Sequence, residues 1–357
     1  MSVAFRGNIA RMVAYQPGEQ PQEGGYVKLN TNENPYPPSP LVRRAVLAEL
    51  TDSLRLYPDP GATRLRRQAA IAYGFDLSQV IAGNGSDDLL AMIARAFIGE
   101  KDALCCPVPT YSLYETLVRI QGGRVLGIPY PDDYTLPPRI FRSRASVTMV
   151  ASPNSPSGTT VPFPVLSRLA DSVPGLLVVD EAYADFAEEN ALSLARERKN
   201  VIVLRTLSKS FSLAGMRIGV GFAHPRIIEG LNKVKDSYNM NRLGIAAGEA
   251  ALKDIAWMER NAARIRKTRD RLASALPGAG FTPYPSQANF ILAKRGGGKS
   301  AKPVYEELKK RKILVRYFPT PRLSGCLRIT VGTDAEIDAL LTALRTSSPR
   351  RGSSSRR

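Results

Sequence analysis

The chain contains a single histidine, His224, and that scarcity narrows the chemistry open to it. A Ser-His-Asp triad or a histidine-based metal site has almost no material, and His224 precedes Pro225 in what reads as a surface turn at a strand end. Three cysteines, Cys105, Cys106 and Cys326, match no Cys-x-x-Cys spacing and no disulfide framework. They read as reduced and structural, and no metal is expected. Acid, base and nucleophile must then come from Lys, Asp, Tyr or a cofactor. Thr206-Leu207-Ser208-Lys209 directly follows the apolar run Val201 to Leu204, which puts Lys209 at the C-terminal edge of a parallel sheet, where such folds hold their sites. Thr206, Ser208, Ser210 and Ser212 crowd the lysine, and Arg217 follows. Hydroxyls and an arginine make a phosphate cup, and an amine beside one suits a Schiff base to an aldehyde bearing a phosphate.

Three further segments add complementary groups. Val178-Val179-Asp180-Glu181-Ala182-Tyr183 ends a strand on Asp180, where a buried carboxylate can keep a pyridinium nitrogen protonated, with Tyr183 close behind. Ser152-Pro153-Asn154-Ser155-Pro156-Ser157-Gly158 offers an amide, Asn154, held by prolines. Gly85-Ser86-Asp87 opens a helix, Asp88 to Phe97, whose free N–H groups form an anion site. Each has an ordinary reading when taken alone: a surface lysine, a loop cap, a turn, a helix cap. Together they supply a lysine amine, an acid for a ring nitrogen, an amide and two groups of phosphate donors, all at strand ends.

Those positions require a sheet to hold them. Short apolar runs at Val80–Ala82, Ala103–Cys106, Arg124–Ile128, Ser146–Ala151, Leu176–Val179, Val201–Leu204 and Ile218–Phe222 alternate with helix-length connections. That pattern predicts an α/β fold, a large domain with a mostly parallel seven-stranded sheet flanked by helices. From about Ala251 the chain turns to charged amphipathic helices, Trp257 to Leu276 and Ala301 to Arg311, between strands such as Ala288–Ala293 and Cys326–Val331. A smaller α+β domain is expected there. The start, rich in Pro, Gly, Asn and Gln, reads as an extended arm up to Pro40, where Ser39 caps a helix. The division expected is 1–50 for the arm and part of the small domain, 51–250 for the large domain and 251–346 for the small one. Residues 347–357, basic and without apolar residues, are expected to be a disordered tail.

Composition bounds the remaining classes. At 357 residues, 43% hydrophobic and 23% charged, the chain can bury a large core, and no apolar run approaches the roughly 18 residues of a membrane span. Without a signal-peptide apolar region near its start, a cytoplasmic protein with no membrane partner is expected. The net charge of +18 suggests nucleic acid first, but Arg350, Arg351, Arg356 and Arg357 lie in the tail and the other basic residues are dispersed, so nucleic acid is disfavoured. Asp88 and His224 stand where two near-matches to a dinucleotide fingerprint need glycine, and Ala293 where a Walker A loop does.

At this point the sequence resembles fold-type I pyridoxal-phosphate-dependent aminotransferases, and among them the histidinol-phosphate aminotransferase family, from the arm to Gly332. The motifs are Leu29-Asn30-Thr31-Asn32-Glu33-Asn34-Pro35-Tyr36-Pro37, Tyr57-Pro58-Asp59, Gly85-Ser86-Asp87, Pro109-Thr110-Tyr111, Ser152-Pro153-Asn154, Asp180-Glu181-Ala182-Tyr183, Thr206-Leu207-Ser208-Lys209 through Arg217, and Leu327-Arg328-Ile329-Thr330-Val331-Gly332. The resemblance implies pyridoxal 5'-phosphate as cofactor, with Lys209 as the lysine that carries it and then moves the proton. It implies that Asp180 pairs with the ring nitrogen, that Asn154 and Tyr183 bond the ring's phenolic oxygen, and that Tyr111 stacks on the ring. Gly85, Ser86, Asp87, Thr206, Ser208 and Arg217 would form the phosphate cup, and Tyr57 would reach the site of a second subunit, making a homodimer with shared sites. Ser155-Pro156-Ser157-Gly158 departs from the family's frequent Asn-Pro-Thr-Gly without removing a chemical role.

The leading expectation is amino transfer from histidinol phosphate to 2-oxoglutarate, with a phosphorylated amine or amino acid and a 2-oxo acid as small-molecule substrates. Arg328 and Arg316, flanking a predicted hairpin, with Tyr15 and Asn30 from the arm, are the substrate-binding candidates, because an arginine fork binds phosphate or carboxylate. An aromatic amino acid aminotransferase and a decarboxylase of a phosphorylated amino acid on the same scaffold are the alternatives.

Overall fold

The computed structural model describes residues 3–14 and 18–347. The arm contributes one short strand, β1 (Val27–Leu29). The runs read as strands then form β2 (Val80–Gly83), β3 (Ala103–Val108), β4 (Arg124–Pro129), β5 (Val147–Ala151), β6 (Leu176–Asp180), β7 (Val201–Thr206) and β8 (Gly219–Ala223). They make a seven-stranded sheet in the order β2-β8-β7-β6-β5-β3-β4. The pairs from β7 across to β4 are parallel, and β8 runs antiparallel to both of its neighbours.

Burial on both faces explains why the central strands read as continuous apolar runs. Val150, Leu177, Val179, Val201 and Val203 pack into one core, and the alternating Val147, Met149, Leu176, Val178, Ile202 and Leu204 into the core on the other face. Connections that recross the sheet put the ends of β2, β5, β6 and β7 on one edge, together with the start of the reversed β8. Lys209, Asp180, Asn154 and Ser86 all follow or end these strands, so one edge collects the chemistry.

The second sheet comprises β9 (Phe281–Pro283), β10 (Phe290–Arg295), β11 (Ile313–Tyr317) and β12 (Cys326–Thr330) with β1, in the order β1-β11-β12-β10-β9. The arm therefore closes the small sheet, with β1 parallel to β11. Ser39 caps the helix Pro40–Glu49 by accepting the Leu41 N–H at 3.1 Å, as the sequence predicts. Val42 of that helix packs into the large core, so residues 1–50 serve both units. The 21-residue helix Ile255–Ala275 does the same. Its Met258, Ala262 and Ile265 enter the large core and its Leu272 the small one, so the packing passes from one core to the other inside this helix rather than at residue 250.

His224 sits in the turn after β8 and caps the helix Pro225–Val234, its Nδ1 accepting the Arg226 N–H at 3.3 Å. All three cysteines are buried free thiols. No helix among the described residues is long and apolar enough to cross a membrane.

Candidate active site

A cleft opens between the strand-end edge of the large sheet and β11 and β12 of the small one. Lys209 enters it from the loop after β7, its Nζ 3.4 Å from the Thr31 carbonyl oxygen and 5.9 Å from the centre of the Tyr183 ring. Packing to both sides fixes this loop. Leu207 N–H donates to Ile218 O at 3.0 Å, while Asn34 Nδ2, from the arm, donates to the carbonyl oxygens of Lys209 and Ser210 at 3.1 and 3.0 Å. Beneath it, Arg205 pairs with Glu181 at 2.8 Å and Asp185 at 2.6 Å, and Asp185 accepts the Ser210 hydroxyl. The buried Arg205 and Glu181 thus tie the ends of β6 and β7 to the residue after the lysine.

Asp180, 5% exposed, ends β6 at the floor of the cleft. Its Oδ2 accepts the Tyr114 hydroxyl at 2.5 Å and its Oδ1 the Ala182 N–H at 3.1 Å. Burial, with Asp87 nearby, pushes its pKa up to about 6 even though those two hydrogen bonds and the Lys209 charge favour the ionised form. Such a carboxyl is poised to be ionised by a cation placed against it.

The anion end is built from two chain segments. Gly85, at φ +88°, turns β2 into a helix that starts at Ser86, two residues earlier than the sequence predicts, so the N–H groups of Ser86 and Asp87 belong to its first turn. Thr206 Oγ1 donates to Ile218 O at 3.1 Å, and Arg217 reaches Asp87 at 3.0 Å. A Cβ on Gly219 would lie 2.5 Å from Gly85 C and Ser86 N, so only glycine lets β8 carry Arg217 and Ile218 this close to the helix. Ser86, Asp87, Thr206, Ser208 and Arg217 all line this end of the cleft, with Gly85 behind them.

At the opposite end Arg316 and Arg328 face each other across the β11–β12 pair, as the predicted hairpin requires. Arg328 donates to Ser155 Oγ and to Asn30 O, each at 3.0 Å, and lies over Phe290 at 5.2 Å; Arg316 lies over Phe318 at 5.5 Å. Asn30 lines the cleft and donates to Glu19 O at 2.8 Å. Tyr111 lines the cleft and donates to Asp87 Oδ1 at 3.2 Å, and Tyr183 does so with its hydroxyl accepting from Asn32 Nδ2 at 2.9 Å.

Two predicted residues stand apart, and a third falls outside the described residues. Asn154 is 1% exposed and its amide joins its own loop to the loop after β3, donating to Ser157 Oγ at 2.9 Å and Pro109 O at 3.3 Å and accepting from Thr110 at 2.8 Å. Its neighbours Pro153, Ser155 and Pro156 line the cleft, and Asn154 braces them. Tyr57 is 78% exposed and stacked on Tyr238 outside the cleft. Tyr15 is not among the described residues. Sequence reasoning missed Tyr114, Thr31 and Asn32 as residues of the site. Tyr114 carries no local signal, being one apolar position on a helix, whereas Thr31 and Asn32 lay inside a motif that had been noticed without a role.

One cleft therefore brings together an amine, a buried acid, a helix start with Thr206, Ser208 and Arg217, and the facing guanidinium groups of Arg316 and Arg328. The profile of "Aminotransferase class I and II" matches residues 25–344. Histidinol-phosphate aminotransferase 1 of Nostoc sp. is 46% identical over 347 residues, 97% of this chain and 98% of that protein. Histidinol-phosphate aminotransferase of Syntrophotalea carbinolica is 46% identical over 341 residues, 95% of this chain and 98% of that protein. The crystal structure of histidinol-phosphate aminotransferase from Sinorhizobium meliloti in complex with pyridoxal-5'-phosphate superposes with a TM-score of 0.88 at 27% identity, covering 97% of this chain and 98% of that one. The match spans both sheets and the cleft between them, and the chain belongs to the aminotransferase class I and II family.

Proposed function

We propose that the chain is a pyridoxal-phosphate-dependent aminotransferase that moves the amino group of L-histidinol phosphate to 2-oxoglutarate, a step of histidine biosynthesis. The observation that carries this reading is the set of groups in the cleft, from the anion cup through Lys209 and Asp180 to the facing pair Arg316 and Arg328. The 46% identical relatives that bear this name over nearly their whole length support it.

The residues fit the cofactor. Asp180 is a buried carboxyl whose ionisation is opposed by burial, and a protonated ring nitrogen is the cation it calls for. The helix start at Ser86, Thr206, Ser208 and Arg217 match a phosphate. Bound, pyridoxal phosphate supplies a carbonyl that exchanges with amines and a ring that draws electrons from the reacting carbon of the substrate. Lys209, whose Nζ stands in the cleft, would be the amine that holds the cofactor and the group that moves a proton at the reacting carbon of the substrate. Asp180 would hold the ring nitrogen's proton, Tyr111 would cover the ring and Tyr183, oriented by Asn32, would donate towards the phenolic oxygen, with Asn154 bracing the adjoining loop. Arg328, held by Ser155 and Asn30, and Arg316 bind the phosphate of the donor in one half-reaction and a carboxylate of the acceptor in the other.

Leu47, Leu50, Leu54, Leu56, Tyr57, Ile71 and Tyr238 are large apolar side chains left exposed. A second copy covering them forms a homodimer in which each Tyr57 serves the other subunit's site. The three reduced cysteines suit the cytoplasm.

The deciding experiment offers histidinol phosphate, phenylalanine and tyrosine as donors with 2-oxoglutarate and measures glutamate formed. Histidinol phosphate should give the highest kcat/KM. A higher value for either aromatic amino acid overturns the substrate assignment, and no transfer from any donor overturns the reaction.

A further inference from the structure

One buried side chain, Tyr114, touches the site without a part in the chemistry. Tyr114 is 1% exposed, lies on the helix Leu113–Ile120, and aims its hydroxyl at Asp180 Oδ2 from 2.5 Å. The ring is locked in place: it meets Tyr111 edge-on at 5.6 Å and packs among the residues of the core under β3, β5 and β6. A phenol fixed in apolar surroundings donates to a carboxylate far more effectively than to its neutral acid, because the donated proton faces a full charge and no water competes. Burial of Asp180 opposes that charge, so the phenol and the Ala182 N–H are the two protein donors that make it tolerable.

We propose that Tyr114 is a positioning residue for amino transfer, holding the Asp180 carboxylate ionised and fixed in the orientation from which it grips the cofactor's ring nitrogen. The proposal rests on the aminotransferase reading for its consequence, but the Tyr114–Asp180 link stands on geometry alone. The other titratable groups acting on this pair come from four segments, one of them Tyr111 in the loop just before the Tyr114 helix. Asp87 approaches from the helix Ser86–Phe97 and disfavours the charge on Asp180, Lys209 approaches from the loop after β7 and favours it, and Cys106 on β3 lies near the Tyr114 hydroxyl. The phenol itself is held well above its ordinary range by burial and by the Asp180 charge, so it stays a donor across the working pH range.

The test measures Asp180 directly. Full-length protein freed of cofactor and carrying 13C-carboxyl aspartate is titrated by NMR, the Asp180 signal being identified by its loss in Asp180→Asn. Tyr114→Phe keeps the ring and removes the hydroxyl, and the Asp180 midpoint should rise by about 1–2 pH units, the worth of one hydrogen bond to a charged group. Tyr130→Phe removes the hydroxyl of another buried tyrosine, in the separate aromatic cluster with Tyr134, and should leave the midpoint where it is. If Tyr114→Phe does not fold, 3-fluorotyrosine placed at 114 keeps the shape and strengthens the donor, and the midpoint should fall. An unchanged midpoint in the foldable variant, or a shift of the opposite sign, overturns the proposal. Adding pyridoxal phosphate to the unsubstituted protein separates the two readings: failure to bind it defeats the aminotransferase assignment, whereas binding combined with an unmoved Asp180 midpoint defeats only the role of Tyr114.

Discussion

Lys209 stands on a loop whose backbone is held by Asn34 and whose next side chain is held by Asp185, so its amine can be removed with little disturbance to the fold. Lys209→Ala should still fold, lose the covalent pyridoxyl label after borohydride reduction, and lose activity by at least the 10²–10⁴-fold range of a general acid–base group. Peptide mapping that finds the label on a different lysine removes Lys209 from its role. Asp180 makes a pH prediction with a definite sign. Its pKa in the fold is about 6 against an ordinary 3.8, so the cofactor-free protein favours the protonated form and loses stability as pH rises from about 4 to above 6. Asp180→Asn should therefore melt higher than the parent at pH 7–8 when both lack cofactor, by up to about 3 kcal/mol, and the gap should close below pH 4. Thermal melts across pH check it, and a constant gap counts against the buried charge. At the other end of the cleft, Arg316→Ala should lower kcat/KM for histidinol phosphate more than for an aromatic donor. Arg328→Lys should lower it for both substrates, because an ammonium cannot reproduce the fork that reaches Ser155 and Asn30.

At the scale of elements, two contacts hold the strand ends in register with the loops they carry. Gly219 lets the first residue of β8 touch the backbone at Gly85 and Ser86, and Gly219→Ala must separate them because its Cβ would meet backbone at 2.5 Å. The expected result is a loss of about 1–3 kcal/mol and a clearly weaker affinity for pyridoxal phosphate, since the helix start and Arg217 move apart. Stability alone falling, with affinity intact, would show that the anion cup does not depend on this contact. Arg205 joins β7 to Glu181 at the end of β6 and to Asp185, all within the protein. Arg205→Met leaves the buried Glu181 carboxyl, and the partly buried Asp185, without their partner and should cost about 3–5 kcal/mol, read as a fall in midpoint on denaturant unfolding. These elements also show why strand positions were readable in advance. β6 and β7 are buried on both faces, which forces the uninterrupted Val, Ile and Leu of Leu176–Val179 and Val201–Leu204. Helix starts were less legible: Gly85 at positive φ brought Ser86 and Asp87 into the helix, a backbone choice that apolar spacing does not record.

The whole molecule carries the prediction about Tyr57. In one subunit this side chain is exposed and outside the cleft, so a role in the chemistry requires a second subunit. Mixing subunits inactivated at Tyr57 with subunits inactivated at Lys209 should restore part of the activity, because a hybrid dimer holds one site with both residues intact. No recovery after verified exchange would confine Tyr57 to its own surface. The division into two units is likewise a property of the assembled chain. The helix Ile255–Ala275 begins in the large core and ends in the small one, and the arm supplies β1 to one unit and Val42 to the other. A composition shift near residue 250 marked the change of character but not the packing boundary, which depends on which face of a long helix meets which sheet.

By itself the sequence determined the kind of sheet, the edge at which it must present its ends, and the residue types waiting there: Lys209, Asp180, Ser86, Thr206, Ser208 and Arg217. Periodicity and burial are local in the chain, and the placing of a site at strand ends follows from them. Tertiary structure alone decided the contacts between residues far apart in sequence: Tyr114 on Asp180, Asn34 on the Lys209 carbonyl, Asn32 on Tyr183, and Arg328 on Asn30. It also spent the Asn154 amide on Ser157 of its own loop and on Thr110 of the loop after β3. A hydrogen bond is short and directional, so a small rotation of a helix or loop makes or breaks it without altering the hydrophobic pattern that specified the element.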